Sequence, residues 1–498
     1  MSRKTILYLF AVAFLIRSIL SFVGFDRRPL LMSNDEVSIQ DAAYSLACGE
    51  GLRASSLDGL DLGTCYYHYP PLSFFVQAAL FRSFGFSPAT LRLPSIMEHS
   101  LGLLVLFWIL RQGVRGGLMD AFGAWIGAAL ILVDPFLLVL SRVSRMEHLC
   151  GLLGLVGMAF AFAAHSGSGK SRFRKLLAGS VFIGLALGTH PAAVSYQLAF
   201  ACFLALWAKE LGWRRSLAVF LMPGVVFGVA WGLAFGRESL DDLWKMSLLS
   251  KTNLQPSLGL DLLANAVFHH KIDDFKQLGA SAYLLVLAGW LFLFIRCFAG
   301  FKDSPESRRK LCGLLAIAGV LQIGAAWKMT FYSARTMLYA PLAIINLAIV
   351  FSFLPKMGRR VVTAVTVCFA LAGAGATVGY FHALATHWND WSSDRFAAVV
   401  ESVPKEAKVA STFELWYAWR KANRHIRVIV PCLPTDRPFW TEAPERFAGF
   451  DVVIFSDRSG EMRDAALKAN IFAAPEWIGE KFTTDEAVYF IYRKIDSR

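Results

Sequence analysis

The sequence predicts a polytopic α-helical membrane protein that carries a small C-terminal soluble α/β domain. Three observations predict it. Of 498 residues, 56% are hydrophobic and only 17% charged, against about 25% charged in ordinary soluble domains. Apolar runs long enough to cross a bilayer recur from the first residues to about residue 380. Lys and Arg gather in short clusters between those runs, the pattern of cytoplasmic loops. The net charge of +13 therefore belongs to membrane topology, and nucleic acid is excluded as a partner.

The N-terminus opens with Ser2-Arg3-Lys4 and then runs apolar to Phe25. That length suits a span better than a signal-peptide core, and no small-residue cleavage site follows, so the stretch reads as an uncleaved first helix. Arg17 within it reads as a snorkelling or helix-packing residue. With this first run at 5–24, further runs lie near 93–110, 121–140, 148–164, 176–190, 192–208, 216–235, 280–297, 311–327, 337–354 and 361–380, about eleven spans in all. The run 71–84 is short, begins at Pro70-Pro71 and contains Arg82, so it reads as an interfacial helix. With 71–84 outside and the N-terminus in the cytoplasm, the loops Arg111–Arg115, Lys170–Lys175, Lys209–Arg215, Arg296–Lys310 and Lys356–Arg360 all fall inside, as their charge requires. Counting 71–84 as a span would put every one of them outside.

This topology leaves two long external segments, about 25–92 and 236–279, and an external C-terminus. Residues 1–380 form the membrane domain. Beyond it, short β-like runs at Val409–Thr412, Ile426–Val430, Asp451–Ser456 and Ala487–Arg493, with helix-like segments between them, predict a soluble α/β domain over 381–498. Cys48 and Cys65 share the first external loop and could pair in an oxidising compartment; no Cys spacing suits zinc.

Several constellations could carry chemistry. Asn34-Asp35-Glu36 follows the first span by about ten residues. Adjacent carboxylates at a membrane edge can take a proton from an acceptor, but Asn, Asp and Glu also suit a plain helix N-terminus. Tyr66-Tyr67-His68-Tyr69 precedes Pro70-Pro71, as a binding strip or as an aromatic interfacial belt. Ser141 to His148 is a short external loop holding Arg142, Arg145, Glu147 and His148, more ionisable groups than a turn requires. His190, before Pro191, sits at another external helix end. Lys328 and Arg335 flank a third external turn, against the topology bias, where an anionic ligand or lipid head groups would explain them. Taken together these residues set carboxylates and cations at several helix ends on one membrane face, as a site for an anionic, lipid-borne substrate would be built.

The order of these motifs resembles the GT-C glycosyltransferases, in the branch of protein O-mannosyltransferases and lipid A aminoarabinose transferases. That branch has an Asp-Glu pair after its first span, here Asp35-Glu36, and a Pro-Pro interfacial helix, here from Pro70-Pro71. It then has an Arg-Leu-Pro helix opening, here Arg92-Leu93-Pro94, and an external loop from a Ser-Arg to an acidic residue, here Ser141 to Glu147. Late in the membrane domain a basic residue precedes a Tyr and a Pro, here Arg335, Tyr339 and Pro341. The match covers about 30–380 and is tightest over 34–150. Two positions depart from the pattern: Glu147 stands where Asp is commoner, and His68-Tyr69 stands where some relatives carry Lys before Pro-Pro.

The resemblance implies an inverting membrane glycosyltransferase of the cell envelope. Its donor would be a polyprenyl-phosphate-linked sugar, and its acceptor a lipid, glycan or protein. Asp35 and Glu36 would be catalytic. His68, Tyr69, Arg92, Arg142, Arg145, Glu147, His190, Lys328, Arg335 and Tyr339 would bind donor or acceptor. A divalent metal is compatible with this chemistry, and nothing in the sequence indicates one. The expected location is a bacterial inner membrane, with the site and the C-terminal domain outside the cytoplasm. Two other classes compete: a secondary transporter, which would place ionisable residues at mid-membrane on broken helices and often show repeats, and a non-catalytic envelope glycan-binding or assembly protein. The clustering at external helix ends and the absence of an internal repeat favour the transferase.

Overall fold

The computed structural model describes residues 3–27, 34–53, 69–235, 336–388, 396–424, 426–429, 444–456, 460–473, 477–483 and 488–494. The expected spans 280–297 and 311–327 and the segment 236–279 lie outside the described residues. The chain runs through α1 (Arg3–Phe22), α2 (Asn34–Cys48), α3 (Leu72–Phe84), α4 (Pro88–Arg115), α5 (Ala121–Val133), α6 (Pro135–Leu140), α7 (Met146–His165), α8 (Gly169–Leu187), α9 (Val194–Leu211) and α10 (Trp213–Phe235), and later α11 (Thr336–Phe351) and α12 (Lys356–Thr386). Among the described residues five helices are long and apolar enough to cross a membrane: α4, α7, α9 with the 3-10 turn before it, α10 and α12. Shorter apolar helices, α3 and α5 and parts of α1 and α11, accompany them.

Local chemistry sets the helix ends. Ser87 caps α4 in a reciprocal capping box with Thr90, and Pro88 takes the first helical position. The helix therefore starts before the run expected from residue 93. The expected span 121–140 is two helices. Asp120 caps α5 through the Gly123 N–H, and α5 ends where Pro135 cannot donate to the ladder. Arg17 compensates at this break: its Nη1 donates to the carbonyls of Leu132 and Asp134, both at 2.9 Å. A residue expected to pack or snorkel is thus a buried strut for a broken helix.

The membrane bundle is built around α7, which packs on α4 and α8, with α11 against α5 and α10 against α8. Its core includes Leu106, Met158, Phe162, Phe203 and Ile345, all buried. Glycine brings α7 and α8 together: a Cβ on Gly157 would stand 2.9 Å from the Gly179 carbonyl, and one on Gly179 2.8 Å from that of Gly157. Small residues permit such backbone approach between helices in lipid.

The boundary at 380/381 falls inside α12, which continues to Thr386. After it come α13 (Ala397–Glu401), β1 (Val409–Thr412), α14 (Trp416–Lys421), β2 (Arg427–Ile429), β3 (Val452–Ser456), α15 (Gly460–Lys468), β4 (Trp477–Thr483) and β5 (Val488–Lys494). The sheet order is β2-β1-β3-β5-β4. β2, β1 and β3 are parallel, and the β3–β5 and β5–β4 pairs are antiparallel. β1 and β3 are buried on both faces, as parallel strands with covered faces are. One face packs Val453, Phe455 and Ala410 against Met462 and Phe472. The other packs Val452 and Ile454 into a core that also holds Val37 and Ile39 of α2 and Phe74 and Phe81 of α3. The helix carrying the acidic pair is thus walled by the sheet unit on one side. β4 was not among the expected strands; four of its seven residues are exposed in succession, so it carries no alternating apolar signal.

Cys48 is a free, exposed thiol, against the bridge expected with Cys65, which lies outside the described residues.

Candidate functional site

The helix α2 begins at Asn34, so Asp35 and Glu36 occupy its first turn. Asp35 has helical backbone, and its side chain lies outside the described residues. Glu36 is fully buried. Its Oε1 accepts from the Ser144 backbone N–H at 2.9 Å and from Arg92 Nε at 3.4 Å, while Arg92 Nη1 also donates to the Phe25 carbonyl at 3.0 Å. One turn on, Gln40 Nε2 donates to Ser144 Oγ at 2.7 Å. Among the described residues Glu36 Oε2 and Gln40 Oε1 have no hydrogen-bond partner, although buried polar atoms are nearly always paired. Burial raises the pKa of Glu36 above its ordinary value of 4.5. The Arg92 guanidinium and the Ser144 N–H pull the other way.

Residues 141–148, expected as an external loop, are buried throughout. Ser141–Arg145 form a covered turn, and Met146 opens α7, which puts Glu147 in the first helical turn, where a carboxylate complements the macrodipole. Arg145 grips Glu147 with Nη2–Oε1 at 2.6 Å and Nε–Oε2 at 3.1 Å, and the Arg145 N–H donates to Ser95 Oγ. His190 Nδ1 accepts from the Ala192 N–H at 3.0 Å. That bond leaves Nε2 as the protonated ring nitrogen in the neutral tautomer. The His190 ring stacks on Tyr69 with centroids 5.4 Å apart.

Two cavities meet at Glu98. One lies beneath α2 and is lined by Gln40, Ser95, Glu98, Ser144 and Arg145. The other runs between α4, α6 and α7 and is lined by Glu98, His99, Glu147 and His148 at its polar part and by Leu103, Leu106, Leu152, Leu155 and Pro341 beyond. The His99 and His148 rings stand 6.3 Å apart, nearly perpendicular. A space lined by both ionisable and apolar side chains suits an amphiphile.

The structure thus gathers Glu36, Arg92, Arg145 and Glu147 around Ser144, with Tyr69 and His190 stacked on one another. Arg142 is engaged elsewhere. Its Nη2 donates to the Val23 carbonyl at 2.5 Å, and its guanidinium lies over Tyr380 and Phe381, tying the end of α1 to α12. Tyr339 has helical backbone in α11, its side chain outside the described residues. His68, Lys328 and Arg335 lie outside the described residues. Sequence reasoning missed Gln40, Glu98 and His99. An acidic residue and a histidine inside the run 93–110 were a readable signal, since ionisable groups within spans are commonly functional. Among the described residues no group of three or more His, Cys, Asp or Glu is arranged to hold a metal.

No protein-family profile and no curated protein matches the chain. Its structure is similar to that of ArnT from Cupriavidus metallidurans bound to undecaprenyl phosphate, with a TM-score of 0.61, 13% identity and 99% of each chain covered. It is also similar to the Archaeoglobus fulgidus oligosaccharyltransferase tethered with an acceptor peptide containing the NVT sequon. There the TM-score is 0.50 and the identity 13%, with 95% of this chain and 72% of the other covered. The chain has the GT-C fold of these glycosyltransferases, as the order of its sequence motifs leads one to expect.

Proposed function

We propose that this chain is an integral membrane glycosyltransferase that moves a sugar from a polyprenyl monophosphate carrier to an envelope acceptor with inversion. The observation that carries the reading is the buried Glu36 carboxylate. It is fixed through one oxygen by Ser144 and Arg92 and keeps the other without a protein partner among the described residues, and Ser144 lines a cavity that shares Glu98 with a second, largely apolar one between the helices. A similar solved structure holds undecaprenyl phosphate and another an acceptor peptide, which supports a lipid-linked donor and a separate acceptor.

In this reading Asp35 is the general base. The acceptor oxygen or nitrogen attacks the anomeric carbon and gives its proton to Asp35. The bond from that carbon to the phosphate oxygen breaks, and its electron pair leaves with the phosphate. The leaving group is already an anion, so no acid need protonate it, unlike inverting glycoside hydrolysis. Glu36 orients the acceptor through Oε2. Cations stabilise the departing phosphate, Arg335 and Lys328 first, then Arg142 and Arg145, and His190 donates to it through Nε2–H. His68, Tyr69 and Tyr339 complete the donor and acceptor walls.

The test uses purified protein in nanodiscs, and in sealed proteoliposomes to follow transport, with a panel of polyprenyl-phosphate hexoses and pentoses, labelled in the sugar, and lipid, glycan and peptide acceptors. The expected result is labelled acceptor with inverted anomeric configuration and release of polyprenyl phosphate. Intact donor across the whole panel, or label crossing a bilayer without transfer, would overturn the reading and in the second case favour a transporter.

The same reading places the acidic pair and residues 381–498 outside the cytoplasm, on the Lys/Arg bias of the loops. A reporter active only in the cytoplasm, fused after Arg498, is expected to give no signal. A strong signal there would invert the topology.

A further inference from the structure

Resting on the reading above, we propose that the C-terminal sheet unit positions the reacting helix, with Asp41 of α2 as the positioning residue and Arg420 and Trp416 as its clamp. At 100° per residue, Glu36 and Gln40 share one face of α2, and Asp41 lies about 140° around from Glu36. The first face is held by the membrane domain through Ser144. The second meets the sheet unit: Asp41 Oδ1 accepts from Trp416 Nε1 at 2.8 Å and from Arg420 Nε at 2.8 Å, with Arg420 Nη2 at 2.7 Å. One turn later the Arg420 guanidinium lies over the Tyr44 ring, 5.3 Å from its centroid. The C-terminal end of α2 is held as well, by Arg82 donating to the carbonyls of Leu46 and Ala47. α2 is therefore clasped from two bodies, and its rotation about its own axis is set by both.

The place of the clamp in the sheet unit supports a specific role. Trp416 and Arg420 lie on α14, the helix that follows β1. β1 and β3 flank the point where the strand order reverses, and open sheets commonly bind ligands outside the carboxyl ends of strands at such a point. Here that point is closed by the chain's own groups, Thr412 Oγ1 and Ser456 Oγ 3.1 Å apart and both bonded to Glu414. The adjoining surface of α14 grips α2 instead. Docking alone would need only apolar contact, which Phe86 already supplies against Trp416 and Tyr417. A fully buried carboxylate held by three donor atoms adds direction, because its desolvation is offset only while those donors stay aligned on Oδ1.

The test compares wild type with Arg420→Lys, Trp416→Phe and Asp41→Asn in nanodiscs, using variants that remain monodisperse. Amide hydrogen exchange over 36–48 is expected to rise about tenfold or more, while α7 and the sheet strands stay protected, because local opening of one element is read there independently of the rest. Affinity for undecaprenyl phosphate is expected to stay at the wild-type value. Turnover on whichever donor of the panel wild type uses is expected to fall about 10–100-fold with KM for that donor unchanged, the signature of misplacement by about an ångström. Trp416→Phe, which keeps bulk and removes one donor, guards against a variant that fails to fold. Unchanged exchange in α2, or exchange rising equally throughout the protein, overturns the proposal. The exchange measurement needs no reaction, so an absence of wild-type turnover would sink the transferase reading while exchange still decides the coupling.

Discussion

Asp35→Asn is expected to lower sugar transfer by about 10²–10⁴, the usual loss when a general base is removed, while the protein still folds and inserts. The substitution keeps size and helix-start preference, because Asn caps and opens helices as Asp does, so the effect isolates the proton. The chemistry needs one base: the attacking group must lose a proton as the new bond forms, and the phosphate carries away the other electron pair. Asp35, proposed above as that base, has helical backbone in the first turn of α2, one residue before the carboxylate that Ser144 and Arg92 fix. Asp58→Asn and Asp61→Asn, in the same external segment by sequence, are expected to change turnover little and serve as controls. Initial rates with the donor held at saturation, together with undecaprenyl phosphate affinity, separate the outcomes. A loss in rate at unchanged affinity supports the base. Near-normal turnover in Asp35→Asn removes Asp35 from the mechanism.

How much of this could be read in the sequence depends on range. The helices came from apolar runs, a local signal, and their ends shifted where a proline or a cap intervened, as at Ser87 and Pro135. The acidic pair was visible because a carboxylate doublet after a first span is a local pattern. The partners of Glu36 were not, because Arg92 is 56 residues away and Ser144 108, and pairing at that separation leaves no periodic trace. The buried state of 141–148 was hidden for the same reason: a run with two arginines, a glutamate and a histidine reads as solvated until α2, α4 and α12 close on it. Asp41 lies in the first external segment with nothing in the sequence to single it out, and only the fold brings Arg420 to it across 379 residues. Glu98 and His99 were legible in principle, as ionisable groups inside an apolar span. β4 was not, since its exposed run lacks alternation.

Arg92→Ala is expected to destabilise the protein by about 3–5 kcal/mol near neutral pH, the usual result of removing one partner of a buried ion pair and leaving the other charge uncompensated. Arg92 and Glu36 are both buried, with side chains 4% and 1% exposed, so screening by water is small. The loss should depend on pH in a direction fixed by Glu36. Its folded pKa lies above its ordinary value of 4.5 because burial disfavours the charged form, so the fold prefers Glu36 protonated. The stability this group contributes is full below about 4.5 and is lost as pH rises through the raised folded value. Arg92 is the first of the causes that hold that value down. Its removal therefore moves the folded pKa further up, and the variant's deficit against wild type grows with rising pH and shrinks toward pH 4.5. Unfolding of nanodisc-held protein by denaturant, followed at several pH values, measures this directly. Adding Glu36→Gln to Arg92→Ala removes the buried charge and is expected to recover most of the loss at high pH. A deficit that is flat across pH and persists in the double variant would mean that Arg92 acts through its bond to the Phe25 carbonyl, not through Glu36.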